Sequence, residues 1–262
     1  MRNRAIVTLS KAAQAEARGL VIETDAAVMA LNKPSGLACH TRNPGDPSLD
    51  RLLWAFARSN GKRPHLVHRL DRDTSGIILA AQTKPAAAFL HAAFEARKVR
   101  KTYLALVATP IEPNDRGTIH APLADRRAGA LVYSAPVDPT APGARKAQTR
   151  WQRLAMGDGV ALLAVQPLTG RTHQIRAHLA HVGMAILGDG QYGLSGLPPG
   201  APSLPYPAKR TLLHALRLEF PHPDGNTAIR SAPPPEDFVV AARGYGLEDG
   251  LTAGLAAPLE AD

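Results

Sequence analysis

The run His68-Arg69-Leu70-Asp71-Arg72-Asp73-Thr74-Ser75-Gly76 sets one carboxylate, Asp71, between two guanidiniums and ends in turn-forming residues. A carboxylate placed among cations can act as a nucleophile. Guanidiniums also attract phosphate, so the same residues suit a polyanionic substrate. Taken alone, an Arg-x-Asp-Arg stretch equally describes a solvated ion-pair cluster. Residues 77–81, Ile-Ile-Leu-Ala-Ala, follow directly and read as a strand, which places the charged loop at a strand entrance.

Outward from this loop the pattern alternates. Residues 84–98 have helical composition, with Ala86, Phe89, Leu90, Ala93 and Phe94 recurring at three and four, so Phe89, Leu90 and Phe94 are expected to face inward. A strand over 102–108 follows, with Thr102, Leu104 and Leu106 on one side and Tyr103, Ala105 and Val107 on the other. Upstream, a short amphipathic helix over 9–20 precedes a strand over 27–31. Downstream, strands are expected over 160–165 and 212–220 and a helix over 236–243. The stretches 134–143 and 190–207 are rich in Pro and Gly and read as loops. Strands scattered among few helices give a mixed α+β sheet rather than a βαβ repeat.

The 262 residues, 45% of them hydrophobic, can bury a substantial core. The 31 basic residues exceed the 22 acidic ones for a formal charge of +9, a balance that favours a polyanionic partner. Every Lys and Arg precedes Tyr245, whereas Glu248, Asp249, Glu260 and Asp262 follow it. Residues 245–262 are therefore expected to form a loose acidic tail, 1–25 a short extension, and 26–244 one domain. A single cysteine, Cys39, excludes an internal disulfide framework and suits a reducing cytosol. No apolar run approaches the roughly 18–20 residues needed to cross a bilayer, and the first residues do not lead into a signal-peptide core.

Residues 172–183 read as a helix that buries Ile175, Leu179 and Val182 and stops at Gly183. Arg171, His173 and Arg176 crowd its first turn, where each positive charge opposes the helix dipole by about 0.3–1 kcal/mol. An anion nearby would resolve that conflict. Of His173, His178 and His181, only the last two lie one turn apart, and no acidic residue accompanies them at metalloprotease spacing. They read as polar or core histidines, with no metal expected. No phosphate-binding Walker loop is present. The basic run Arg97, Lys98, Arg100 and Lys101 is either a solvated face or a contact to the backbone of a polyanionic partner.

The Asp71 run resembles the signature of the RluA-type RNA pseudouridine synthases, whose catalytic aspartate lies in a His-Arg-Leu-Asp segment followed by Thr-Ser-Gly. Five further blocks match in the family's order: Leu31 through Leu37 (LNKPSGL), Lys98 through Ala105 (KVRKTYLA), Lys146 through Thr149 (KAQT), Gly170 through Arg176 (GRTHQIR), and Leu212 through Ala215 (LLHA) with Pro221-His222-Pro223. The resemblance spans about residues 27 to 240. It implies a mixed, largely antiparallel central sheet flanked by helices and loops, and isomerisation of uridine in rRNA or tRNA without metal or organic cofactor. It implies Asp71 as the catalytic carboxylate, Tyr103 packed on the flipped uracil, Arg176 pairing with Asp71, and Arg69 filling the vacated stack. Arg171, His173, Lys98, Arg100 and Lys101 are then expected against the RNA, with the Leu213 side chain beside the base. Many relatives carry an S4-like RNA-binding domain before the first block, where this chain has a short leader. A cytoplasmic monomer with no obligatory protein partner is expected. Two other classes stay open: an RNA-binding factor without chemistry, and a metal-dependent hydrolase using the histidines.

Overall fold

Two stretches, Ser75–Ala81 and Val160–Pro167, are buried at every residue, the pattern of strands covered on both faces. Each anchors one of two units in the computed structural model, which describes residues 7–43, 45–109, 114–129, 131–157, 159–193 and 208–256. The fold is α+β with largely antiparallel strand pairing. Among the described residues, no helix is long and apolar enough to cross a membrane.

The first unit comprises Met1–Val99 and Arg217–Pro233. Helix α1 (Lys11–Gly19) begins where the Ser10 hydroxyl accepts the Ala13 amide, an N-cap. Strand β1 (Val21–Thr24) pairs with β2 (Val28–Lys33). Helix α2 (Leu49–Leu52), a 3-10 turn (Leu53–Phe56) and β3 (His65–Leu66) come next, and then β4 (Ser75–Ala81), which pairs antiparallel with both β2 and β3. Sequence periodicity missed β1 because three of its four residues are exposed.

Helix α3 (Lys84–Glu95) starts at a Thr83 cap with Pro85 in its first turn. Its buried stripe is Ala86, Leu90 and Ala93, while Phe89 is 42% exposed, correcting the inward face expected for it. Successive helix residues point about 100° apart, so a stripe centred on Leu90 turns its neighbour outward. The helix ends with Arg97 in the left-handed region (φ 57°), where its amide reaches Phe94 O and the Lys98 amide reaches Ala93 O. This closure normally uses glycine.

The second unit comprises Arg100–Leu216 and Pro234–Asp262. It contains β5 (Arg100–Ala108), β6 (Arg116–Ile119), the hairpin of β7 (Leu123–Ala128) and β8 (Leu131–Pro136), β9 (Thr149–Gly157), β10 (Val160–Pro167), helix α4 (Gln174–His181) and β11 (Ala185–Ile186). The sheet order is β11-β5-β10-β9-β6, all antiparallel. Strand β12 (Leu213–Pro221) passes from this unit into the first, where its later residues pair with β13 (Thr227–Ser231). There Arg230 reaches Glu23 at 2.9 Å and His222 reaches Asp25 at 3.3 Å. Burial works against the Asp25 charge, but the Val28 and Ala27 amides, with His222 and Arg230, outweigh it and hold the carboxyl below its ordinary range.

The alternation expected on β5 sorts the second core into two layers. Leu104, Leu106 and Ala108 pack with Leu162, Phe238 and Leu251, whereas Ala105 and Val107, with the partly buried Tyr103, pack with Leu163, Ile175 and Leu179. Helix α5 (Glu236–Gly244) supplies Phe238 to the first layer and α4 supplies Ile175 and Leu179 to the second. Val182, expected to be buried, is 44% exposed because it is the C-cap, one residue before Gly183 turns the chain at φ 80°. Ser134 belongs to strand β8, so the loop expected over 134–143 starts later. Of the 190–207 loop, residues 194–207 lie outside the described residues.

The loose tail expected over 245–262 is also corrected. Helix α6 (Glu248–Ala256) follows α5, with Leu247 and Leu251 buried in the core; residues 257–262 lie outside the described residues. Composition pointed elsewhere because the docked face of α6 is partly glycine. A Cβ on Gly250 would lie 2.4 Å from the Ala155 Cβ and 3.0 Å from Leu154 O, so only glycine permits this approach of α6 to β9. Gly250→Ala is expected to lower stability by about 1–3 kcal/mol, an overpacking penalty. An unchanged urea midpoint would refute the close packing of this helix.

Candidate active site

The Asp71 loop is held within the first unit by the segment that follows β2. Lys33 is fully buried, and its ammonium donates to the carbonyls of Pro34 (2.9 Å), Leu37 (2.8 Å) and Arg72 (3.0 Å). An ammonium carries three donors. Three carbonyls from two chain segments therefore converge on one charge that burial would otherwise make costly. The Gly36 amide donates to Arg72 O, Arg72 Nε donates to Gly36 O, and the Ser35 hydroxyl donates to Asp73 O. Cys39 Sγ receives the Leu70 amide and donates to Leu70 O, each at 3.3 Å, and burial pushes its thiol pKa up. His68 Nε2 accepts the Leu79 amide at 2.9 Å, and its ring stacks on Phe94 with centroids 4.5 Å apart. Arg69 is exposed at the start of this braced loop and Asp71 is half-buried.

In the second unit an anion that sequence reasoning did not name, Asp189, meets the first turn of α4. Arg176 is buried and donates through Nε (2.6 Å) and Nη2 (2.8 Å) to the Asp189 carboxylate, whose side chain is fully buried. Burial works against that carboxyl's charge. Hydrogen bonds and charge from Arg176, with the Tyr192 and Gln191 amides, outweigh it and hold the pKa below the ordinary carboxylate range. The guanidinium also lies 5.0 Å from the Tyr192 ring centroid. Tyr192 Oη in turn accepts the Ser134 amide at 2.9 Å and meets His173 Nδ1 at 3.2 Å. Gly188 lets the chain reach this position, since a Cβ there would sit 2.0 Å from Arg210 O.

Gln174 ties the KAQT block to the GRTHQIR block. Its Nε2 donates to Gln148 O and Thr149 Oγ1, and its Oε1 accepts the Thr169 hydroxyl and the Arg171 amide. Arg171 Nε donates to Lys146 O. His178 is buried, with Nε2 at 2.8 Å from Ala121 O and Nδ1 at 2.8 Å from Thr149 Oγ1. A carbonyl only accepts, so Nε2 bears the proton and Nδ1 accepts from the Thr149 hydroxyl.

Of the residues chosen from sequence, Asp71, Arg69 and Lys98 belong to the first unit, and Arg100, Lys101, Tyr103, Arg171, His173, Arg176 and Leu213 to the second. His173 caps α4 in the left-handed region (φ 50°) with its ring on Tyr192. Leu213 is 3% exposed in the layer containing Ile175 and Val107. Lys98 and Arg100 are exposed and Lys101 half-buried, with Val99 buried between them. Sequence reasoning missed Lys33, Gln174, Asp189 and Tyr192. Lys33 and Gln174 stand inside quoted blocks, and Asp189 sits in a Gly-Asp-Gly turn thirteen residues after Arg176, the one local sign of it.

A family model described as RNA pseudouridylate synthase matches residues 27–181. The chain belongs to that family. It is 38% identical over 223 residues to an uncharacterised RNA pseudouridine synthase of Chloroflexus aurantiacus, covering 81% of this chain and 65% of the relative. It is 34% identical to the ribosomal large subunit pseudouridine synthase C of Vibrio vulnificus, over 80% of this chain and 63% of that one. An uncharacterised RNA pseudouridine synthase of Zymomonas mobilis is 33% identical, over 83% and 94%. The chain thus spans somewhat under two thirds of the first two relatives and nearly all of the third. The solved human RNA pseudouridylate synthase domain containing 4 shares the fold, with a TM-score of 0.73, 24% identity, and 96% and 99% of the two chains covered.

Lys33→Met leaves three carbonyls without their donor and is expected to cost about 3 kcal/mol or more, measured by urea denaturation. A cost below about 1 kcal/mol would refute the bracing role. Burial pushes the His178 pKa below its ordinary 6.5. The unfolded chain therefore takes up this proton first, and stability at this residue is lost as pH falls below that value. At pH 7.5, nitrogen NMR is expected to show a neutral ring protonated on Nε2; an imidazolium signal there would contradict the network.

Proposed function

We propose that this protein isomerises uridine to pseudouridine in RNA, with Asp71 as the catalytic carboxylate. The observation that carries the reading is the family's aspartate loop clamped against its first motif by the buried Lys33 ammonium, an arrangement that fixes the backbone on both sides of Asp71. Preorganised geometry of this kind is what a reacting group needs.

The reaction breaks the bond from uracil N1 to ribose C1′, turns the base, and joins C5 to C1′, releasing the C5 hydrogen as a proton while N1 takes one up. No electrons enter or leave, and no metal or organic cofactor is needed. A paired uridine must first leave its stack, at a cost of a few kcal/mol. Arg69, exposed on the braced loop, takes the vacated place by stacking while its charge meets phosphate. By resemblance to the family, Tyr103 is the residue assigned to the extruded uracil, and Arg176, which Asp189 orients, is the one assigned to the catalytic carboxylate. Leu213 contributes apolar surface beside the base. Arg171, His173, Lys98, Arg100 and Lys101 supply backbone contacts, in keeping with the basic excess of the chain.

Relatives named ribosomal large subunit pseudouridine synthases C and D support large-subunit ribosomal RNA, met in the cytoplasm, as the substrate. The protein acts as a monomer without an obligatory protein partner. In RNA labelled with tritium at uridine C5, the wild type is expected to release tritium while Asp71→Asn binds equally well and releases none. Normal turnover by Asp71→Asn would overturn the mechanism, and tight binding without release by either protein would favour a non-catalytic RNA-binding factor.

A further inference from the structure

The second unit holds a cavity of about 480 Å³ between β8, α4 and the turn at 189–192, within the size range of small-ligand sites. Ala135, Ala177 and Ala180 give it small apolar walls, and Tyr133 and Tyr192 line it with aromatic surface. Gln191 lines it too, and its side-chain Nε2 is buried without a hydrogen-bond partner. The rest of that residue is fixed: Oε1 lies 3.5 Å from Arg176 Nη2, and the backbone amide donates to Asp189. A buried amide donor left unmade is costly unless something entering the cavity brings an acceptor.

Charge narrows the class of occupant. Asp138 also lines the cavity, and hydrogen bonds from the Thr140 hydroxyl and amide hold its carboxyl below the ordinary range. An anionic lining disfavours a phosphate inside. Outside, Arg126 stands directly opposite Tyr133 in the β7–β8 register and is exposed. Directly opposed residues share a face of the hairpin, so a phosphate can rest on Arg126 while the group it carries enters beside Tyr133. A flat, neutral, acceptor-bearing group tethered to a phosphate is a nucleotide with its base inserted.

We infer that this cavity receives the base of a second nucleotide of the RNA substrate, one that presents a hydrogen-bond acceptor to Gln191 Nε2 and stacks on Tyr133. The inference rests on the proposed isomerisation of RNA. It adds a specificity element, because the turn that forms the cavity wall is the same turn whose Asp189 holds Arg176.

The test uses hairpin RNAs tiling large-subunit ribosomal RNA. Their affinities for the Asp71→Asn protein are measured by filter binding, and the tightest hairpin is then remade with an abasic residue at each position. At one position away from the target, that change is expected to weaken binding about tenfold, the scale of losing one stacked base. Ala180→Leu, which fills the cavity, is expected to weaken the parent hairpin by a similar factor and to show no further loss with the abasic one. Gln191→Met is expected to weaken the parent hairpin and to leave binding of the abasic one unchanged. Should Ala180→Leu fail to fold, Tyr133→Ala makes the same comparison. If no position couples to these variants while the wild type still releases tritium, the inference falls alone. Coupling without tritium release by the wild type would instead sink the isomerase reading and leave the base site standing.

Discussion

A single buried ammonium organises the part of the molecule that matters most. A lysine without solvent is unfavourable unless every proton finds an acceptor. Lys33 meets that demand with backbone carbonyls from its own turn and from the Asp71 loop. Because the acceptors are main-chain atoms, the charge dictates the path of the backbone rather than the choice of side chains. The loop around Asp71 is consequently shaped by a residue that has no chemistry of its own to perform.

The second unit solves a related problem with the opposite sign of centre. Asp189 gathers a guanidinium and two amides, and the Arg176 it holds sits near the start of a helix, where a cation is otherwise disfavoured. A buried pair of this kind adds little net stability. What it supplies is a fixed orientation for Arg176, reinforced by the Tyr192 ring and by the amide network of Gln174. Each unit therefore spends one buried charge on holding a single functional segment in place.

Much of this was legible in the sequence. The strands beginning at Ser75, Arg100 and Val160 stood out as short, largely apolar runs, and the helices at Lys84 and Glu236 by their composition and spacing. Gly183 ended its helix as its conformational freedom allows. The failures share a cause. Phe89 and Val182 are apolar yet exposed, because a count of hydrophobic residues does not fix the angle at which a helix rests. Helix α6 escaped notice because its contact surface is made partly by missing side chains, and β1 because it is mostly exposed. Among candidate site residues, the motif blocks isolated Asp71 and Arg176, while Asp189 became visible only when a turn outside every quoted block closed on the arginine.

Strand β12 has a consequence for how the chain is made. The first unit contains residues 1–99 but is completed by Arg217–Pro233, with Arg230 on Glu23, His222 beside Asp25 and Pro233 O accepting from Asn32. Chains emerge from the ribosome N-terminus first. The unit that holds Asp71 therefore waits, one strand pair short, while the whole intervening segment is synthesised, and its sequence-distant closure belongs to the slow, non-local class of folding steps. Nascent protein released before about Pro233 would carry every residue of the aspartate loop and still lack the strands that finish the unit around it.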